Sequence, residues 1–144
     1  MDLREIKPAS PSRRRRARDG LILIVEDNLA NLLLTRTVLQ REGYAVEEVG
    51  SAEEARLALE RQRPSLILMD IQLPGIDGIE FTRELKADPA TAEIPIVILT
   101  AQAMPIFERA ARSAGCAGYI TKPSSPALLA AAVREQLKMA AGNG

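Results

Sequence analysis

Five short apolar runs alternate with longer stretches of helical spacing, and this alternation restricts the possible folds more than any other feature of the chain. Most of the short runs are continuously apolar, which is typical of strands that are covered on both faces in a parallel sheet. The runs span 21–25, 45–49, 66–69, 96–99 and 117–120, and the helical stretches span 29–42, 52–62, 78–87, 105–114 and 126–140. The pattern therefore predicts an α/β fold, a three-layer sandwich built on a five-stranded parallel sheet.

Several predicted helices have recognisable first residues. Ser51 and Glu54 form an S-x-x-E capping box before the second helix, and Asp77 is placed to cap the third. Ser125 followed by Pro126 suits an N-cap and the first helical position of the fifth helix. Pro74, Gly75 and Gly78 are interpreted as turn and cap residues.

The length of the chain suits one domain with a short segment at each terminus. Its 144 residues are 47% apolar, so residues 20–141 can form one core and no second domain fits. Residues 1–19 are basic and have almost nothing apolar to bury, so we expect a flexible tail that contains Arg13–Arg16. Residues 142–144 are expected to be a short C-terminal end.

Missing residue types exclude several kinds of protein. The chain has no histidine, so it cannot have a Ser-His-Asp triad and cannot carry phosphohistidine itself. Its single cysteine, Cys116, excludes an intrachain disulfide and C-x-x-C motifs. The longest apolar run, 127–133, is far shorter than the roughly twenty residues of a membrane span. With no secretory signal pattern either, we expect a cytoplasmic protein.

The residues whose side chains could bind a ligand or react follow the predicted strands. Glu26 and Asp27 follow the first strand, Asp70 the third, Thr100 ends the fourth, and Lys122 follows the fifth. Ligands of an open parallel sheet bind beyond the carboxyl ends of its strands. Three carboxylates gathered there need a cation, and an all-oxygen, partly hydrated site suits Mg²⁺.

The same group of residues could bind and accept a phosphoryl group. Lys122 offers a point charge to a tetrahedral anion, and the Thr100 hydroxyl can donate a hydrogen bond to it. Asp70 could be the nucleophile, since aspartate forms aspartyl-phosphate intermediates. The chain has neither a Walker A loop nor a G-x-G-x-x-G motif, so the phosphoryl group must come from another molecule.

Four segments together resemble a known family. They are L-I-V-E-D-N at 23–28, L-I-L-M-D-I-Q-L-P-G-I-D-G at 66–78, I-L-T-A at 98–101 and Y-I-T-K-P at 119–123. The chain resembles the receiver domain of two-component response regulators, the CheY-like superfamily, over residues 21–140. The first two segments are most similar to stand-alone receivers of the DivK type. The resemblance implies a flavodoxin-like fold with strand order 2-1-3-4-5.

The resemblance also implies a role for each acidic residue. Asp70 would be the phosphoacceptor, and Asp27, Asp70 and the backbone carbonyl of Gln72 would bind Mg²⁺ directly. Glu26 would act through a metal-bound water. Many family members have aspartate at this position, where this chain has the longer glutamate.

Phosphate binding and signalling are implied in the same way. Lys122, Thr100 and the backbone N–H of Ala101 would hold phosphoryl oxygens, and Thr100 with Tyr119 would form a switch. The donor would be the phosphohistidine of a histidine kinase or phosphotransfer protein. The downstream target would bind the face of the fourth helix, fifth strand and fifth helix. Such a protein is a signalling phosphoacceptor that takes part in its own phosphorylation and dephosphorylation, and not an enzyme with an external substrate.

Three other functions are alternatives to this one. A small Mg²⁺-dependent aspartyl phosphatase would use a D-x-D motif, but Gln72 stands two residues after Asp70. A scaffold that cannot be phosphorylated should have lost at least one site residue. An adaptor could bind an acidic partner, nucleic acid or an anionic surface through Arg13–Arg16, although no aromatic residue interleaves with that run, which disfavours nucleic acid.

Overall fold

A computed structural model describes residues 20–143. The predicted basic tail, including Arg13–Arg16, lies outside the described residues. The strands are β1 (Ile22–Val25), β2 (Val46–Val49), β3 (Leu66–Met69), β4 (Ile96–Thr100) and β5 (Gly118–Thr121). The helices are α1 (Leu29–Arg41), α2 (Ala52–Arg61), α3 (Gly78–Ala87), α4 (Pro105–Ala114) and α5 (Pro126–Asn143).

The five strands form one parallel sheet in the order β2-β1-β3-β4-β5. This confirms the predicted α/β fold and its strand order. Val25 at the end of β1 pairs with Val49 of β2 on one side and with Met69 of β3 on the other. In this register β2, β1 and β3 end at one level, and β4 and β5 continue two residues farther, to Thr100 and Thr121. The residues that follow the strands meet at one edge of the sheet.

Two apolar clusters cover the two faces of the sheet. On one face, side chains such as Ile67 and Met69 pack against helices α2, α3 and α4. On the other face, side chains such as Leu66 and Leu68 pack against α1 and α5. The three central strands are buried throughout, as their continuous apolar runs predicted. The core thus holds the carboxyl ends of β1, β3 and β4 in a fixed arrangement.

The edge strand β2 has a different composition. Its two central residues are Glu47 and Glu48, which point to opposite faces because side chains alternate along a strand. Arg61 of α2 pairs with Glu47 at 2.5 Å, and Arg36 of α1 pairs with Glu48 at 2.8 Å. Charged side chains on an edge strand discourage pairing with a further strand.

The predicted helix caps are present. The Asp77 carboxylate accepts hydrogen bonds from the first backbone N–H groups of α3 at 2.8 and 2.9 Å. The Ser51 hydroxyl accepts one from the N–H of Glu54 at 3.1 Å, but the Glu54 carboxylate accepts from Gly50 and not from Ser51. Ser125 caps α5 through the N–H of its third residue at 3.0 Å.

Helix α5 is longer than the sequence pattern predicted. It continues to Asn143, three residues beyond the expected end at 140, so Gly142 and Asn143 belong to the helix and not to a separate end. Residues 139–141 are good helix formers, and a glycine such as Gly142 costs only about 1 kcal/mol in a helix. No helix within residues 20–143 has both the length and the apolar content needed to cross a membrane.

Candidate functional site

Backbone hydrogen bonds extend the sheet by one residue into the predicted site. The N–H of Glu26 donates to the carbonyl of Val49 at 2.9 Å, and the N–H of Asp70 donates to the carbonyl of Val25 at 3.1 Å. Beyond β5, the N–H of Lys122 donates to the carbonyl of Thr100 at 2.7 Å. Lys122 precedes Pro123 through a cis peptide bond. The three backbone hydrogen bonds bring the acidic residues and the lysine to the same edge of the sheet.

Lys122 bridges two buried carboxylates. Its ammonium nitrogen lies 2.5 Å from Oε1 of Glu26 and 3.2 Å from Oδ2 of Asp70. The side chains of Lys122, Glu26 and Asp70 are only 15%, 6% and 8% exposed. The structure therefore brings together three of the residues that were predicted from the sequence, although 96 positions separate Lys122 from Glu26.

The remaining carboxylate oxygens bind backbone N–H groups. The N–H of Asn28 donates to Oε2 of Glu26 at 3.1 Å, and the N–H of Gln72 donates to Oδ1 of Asp70 at 3.2 Å. Asn28 is also the N-cap of α1. Each acid is thus held from two sides, and no buried side-chain polar atom in the described part of the chain lacks a partner.

The cluster is short of positive charge. Two carboxylates share one ammonium group, and burial raises the pKa of Glu26 against the hydrogen bond from Lys122, with a further raising effect from the Asp70 charge. A buried site with excess negative charge favours an added cation. The electrostatics therefore match a site that binds a metal ion.

The candidate donor atoms are oxygens, the type of ligand that Mg²⁺ prefers. No group of three or more acidic, cysteine or histidine residues within 20–143 is arranged to hold a metal. Mg²⁺ is usually bound by one or two carboxylates together with waters and substrate phosphates, so such a group is not required. The buried Asp70, the exposed Asp27 that follows Glu26, and the exposed Gln72 two residues after Asp70 provide oxygen atoms of the right kind.

Thr100 and Tyr119 both contact Gln102, a loop residue that no sequence motif singled out. The Thr100 hydroxyl, which is fully buried, accepts a long hydrogen bond from the N–H of Gln102 at 3.4 Å. The Tyr119 hydroxyl donates to the carbonyl of Gln102 at 2.6 Å. Tyr119 is half-buried, packs against the core and has its pKa raised by burial. Ala101, between Thr100 and Gln102, is exposed.

Gly78 lies closer to the backbone of Asp70 than its predicted role as a turn and cap residue indicated. A Cβ atom on Gly78 would lie 2.0 Å from the backbone carbonyl oxygen of Asp70. The N–H of Gly78 donates to the carbonyl of Ile71 at 2.8 Å. Only glycine lets the first turn of α3 approach the Asp70 backbone this closely. The glycine directly after the cap residue Asp77 was the only signal for this contact in the sequence.

Comparison with known proteins shows what the chain is similar to. The family model for the response regulator receiver domain matches residues 22–134. The polar-differentiation response regulator DivK of Brucella anthropi is 42% identical over 104 residues, which are 72% of this chain and 85% of that protein. Equivalent DivK proteins of Brucella ovis and Brucella suis show the same identity and coverage.

Solved structures give the same result. A CheY-like response regulator receiver domain protein from Methanospirillum hungatei has a TM-score of 0.80 and 30% identity, covering 87% of this chain and 98% of that chain. The receiver domain of a sensor histidine kinase from Pseudomonas aeruginosa, with magnesium in its active site cleft, has a TM-score of 0.76 and 35% identity, covering 83% and 98%. The sheet order, the buried acidic edge and these likenesses lead to one conclusion: the chain belongs to the family of response regulator receiver domains.

Proposed function

We propose that this receiver domain accepts a phosphoryl group on Asp70 from the phosphohistidine of a partner histidine kinase or phosphotransfer protein. The observation that supports this most directly is the position of the Lys122 ammonium, 3.2 Å from a buried Asp70 carboxylate at the open edge of the sheet. In the transfer, an Asp70 oxygen forms the new bond to phosphorus while the P–N bond to the partner imidazole breaks. The imidazole keeps the bonding electron pair.

Each neighbouring residue has a task in this transfer. Lys122 is close enough to donate a hydrogen bond to a phosphoryl oxygen on Asp70, and Thr100 and the N–H of Ala101 complete the set of donors. Asp27, Asp70 and the backbone carbonyl of Gln72 would hold Mg²⁺, which when bound would supply positive charge to neutralise the phosphoryl oxygens. The magnesium-bound relative from Pseudomonas aeruginosa supports this requirement.

The signal would leave the site through the loop between β4 and α4. A charge-assisted hydrogen bond from the Thr100 hydroxyl to the phosphoryl group is stronger than its present 3.4 Å contact with Gln102. Because Tyr119 binds the carbonyl of Gln102, movement of Thr100 is coupled to the aromatic ring. Met104 and Ile106, which are 62% and 57% exposed at the start of α4, form part of the proposed binding face of α4, β5 and α5.

Phosphorylation with acetyl phosphate or a cognate kinase tests the assignment of Asp70. We expect a single phosphate that is stable in acid and labile in base, and that disappears in Asp70→Asn or when EDTA removes Mg²⁺. Asp77→Asn is the matched control, because it changes an exposed carboxylate of the same loop and keeps an amide that can cap α3. Labelling that persists in Asp70→Asn would refute the assignment. Steady release of phosphate from external phosphate esters would point to an enzyme.

The coupling to Tyr119 has its own test. Thr100→Ala should still be phosphorylated, but the NMR signals of the Tyr119 ring should no longer change on phosphorylation. The chain has two tyrosines and no tryptophan, so Tyr44→Phe leaves Tyr119 as the only tyrosine signal. If Thr100→Ala keeps the full change at Tyr119, the proposed route through Gln102 is wrong, while the role of Asp70 is unaffected.

A further inference from the structure

The helix that follows β4 begins differently from the others. Of the five helices within residues 20–143, only α4 starts without a side-chain cap, because its N-cap residue is Met104, which makes no cap hydrogen bond. The other four helices are capped by polar side chains, namely those of Asn28, Ser51, Asp77 and Ser125. A cap satisfies a backbone N–H of the first turn that otherwise has no partner, so its absence makes that turn less stable.

The backbone of the first turn of α4 is also bonded differently. In α3 the carbonyl of the cap residue Asp77 accepts the N–H of Phe81, four residues on, at 2.9 Å. The Met104 carbonyl accepts the N–H of Phe107, only three residues on, at 3.0 Å. Bonds of this tighter kind have poorer geometry than the regular bonds of an α-helix. The start of α4 is therefore weakly held by its backbone as well.

Packing holds the two ends of α4 unequally. Near the C-terminal end, Ala111 and Ala114 are buried, and Gly115 closes the helix with a left-handed C-cap. Near the N-terminal end, Met104 and Ile106 are 62% and 57% exposed. Unwinding the first turn would expose little additional apolar surface, whereas unwinding the last turn would open the core. The first turn is thus the part of α4 that can open at low cost.

We propose that the first turn of α4 is a two-state segment that is wound in the unphosphorylated protein and unwinds when Asp70 is phosphorylated. The inference rests on the proposed function and concerns how its signal reaches α4. In the unphosphorylated arrangement the Gln102 N–H donates to the Thr100 hydroxyl, two residues before Met104. When Thr100 turns to the phosphoryl group this contact is lost, and no cap side chain holds the start of the helix. Because the cap is missing, the change is small enough for one hydrogen bond to drive.

Substitution at the cap position tests the inference, because serine at position 104 adds the missing cap without adding charge. Met104→Ser should slow hydrogen exchange of first-turn amides such as that of Phe107 about fivefold, the effect of a typical N-cap. Met104→Ala is the matched control, since it removes the same side chain and alanine is a poor cap. Amide NMR spectra of both variants show that they are folded before their exchange rates are compared.

The coupling to Asp70 is measured with beryllofluoride and Mg²⁺, which together imitate a phosphoryl group on aspartate, titrated into the full chain. Coupling between two sites is reciprocal, so a cap that favours the wound turn must weaken beryllofluoride binding. We expect Met104→Ser to bind beryllofluoride up to about fivefold more weakly than Met104→Ala. Loading the wild type should speed exchange at Phe107 and leave exchange at Gly115, in the C-cap, unchanged.

The other outcomes overturn the inference in different ways. If Met104→Ser exchanges as fast as Met104→Ala, the missing cap does not limit the stability of the first turn. Equal beryllofluoride affinity of the two variants, or unchanged exchange at Phe107 on loading, shows that the turn is not coupled to Asp70. Tighter binding by Met104→Ser shows that phosphorylation winds the turn. In these cases the proposed function survives. If the wild type binds no beryllofluoride in the presence of Mg²⁺, the proposed function fails, and this inference fails with it.

Discussion

Two ion-paired regions of the molecule have similar nitrogen–oxygen distances and different surroundings. In the site cluster, defined as Glu26, Asp70 and Lys122, the shorter distance is 2.5 Å and all three side chains are nearly buried. In the outer pair, Arg56 of α2 and Glu84 of α3, the two distances are 2.6 and 2.7 Å, but both side chains are 40% exposed. The outer pair balances one charge with one, whereas the site cluster has two acids for one base.

This difference shows that burial and charge balance, more than the nitrogen–oxygen distance, decide what an ion pair contributes to the free energy of unfolding. An exposed pair is screened by water and contributes little to the free energy of unfolding. A buried cluster with an unbalanced charge is energetically costly, and this cost favours the binding of a cation. The pKa values agree: burial raises that of Glu26, while the hydrogen bond from Arg56 lowers that of Glu84.

The largest effect is expected from removing the only cation of the site cluster. Lys122→Met leaves the buried carboxylates of Glu26 and Asp70 without a counter-ion, and breaking a buried pair in this way typically costs about 3–5 kcal/mol. Urea unfolding of the metal-free protein at pH 7 measures this loss. The control, Asp70→Asn, removes one of the two acids and should raise the free energy of unfolding. A loss below about 1 kcal/mol in Lys122→Met would show that the site behaves like the outer pair.

The next effect concerns the backbone that supports Asp70. Gly78→Ala places a methyl group 2.0 Å from the Asp70 carbonyl oxygen, so the chain must shift. We expect a loss of about 2–3 kcal/mol, as for an overpacked core. The matched control is Gly142→Ala near the end of α5, where nothing lies within 4 Å of the added Cβ. There alanine should stabilise the protein by about 0.5–1 kcal/mol, because it is the better helix former. Equal effects at the two positions would contradict the close approach.

The pH dependence of stability should have opposite signs in the two regions. The folded protein holds the proton of Glu26 above the ordinary pKa of 4.5, so the metal-free wild type loses stability as pH rises from 4.5 through the folded pKa. Glu84 has a lowered pKa, so its contribution is present above 4.5 and is lost as pH falls through the folded pKa.

Denaturant unfolding from acid to neutral pH, in EDTA, checks both signs. Glu26→Gln should remove the slope above pH 4.5, and Glu84→Gln should remove the slope below it. The slope from Glu84 is the smaller one, because solvent screens an exposed pair. If both variants change the same part of the plot of unfolding free energy against pH, the site cluster and the outer pair do not differ in the predicted way.

The smallest effect is expected in the outer pair. A double-mutant cycle with Arg56→Ala and Glu84→Ala should give a coupling energy below about 1 kcal/mol, which decreases further at high salt. Arg56 also lies over the ring of Phe81, 5.3 Å from its centroid, so Arg56→Ala should cost more than Glu84→Ala. A coupling energy as large as the effect of Lys122→Met would remove the distinction between the two regions.

Local patterns predicted most of the fold and that Glu26, Asp70 and Lys122 lie together at one edge of the sheet. Apolar runs predicted all five strands within one residue at each end. The runs of the three central strands are continuous, since a buried strand needs apolar side chains on both faces, whereas Glu47 and Glu48 interrupt the run of the edge strand β2. Cap residues such as Asp77 predicted helix starts, because capping is a contact between neighbours in sequence. The proximity of Asp70 and Lys122 was predictable because both residues follow strands of a parallel sheet, where ligands bind.

The contacts among the site residues, by contrast, come from the packing of segments that are distant in sequence. Lys122 lies nearer to Glu26 than to Asp70, Gly78 abuts the Asp70 carbonyl, and Gln102 joins Thr100 to Tyr119. None of these contacts follows from spacing, because each depends on tenths of an ångström set by packing between distant segments. The sequence determined which groups reach the edge of the sheet, since the alternation of strands and helices is encoded locally. Packing of the core decides which of these groups contact each other, because it fixes the distances between the strand ends.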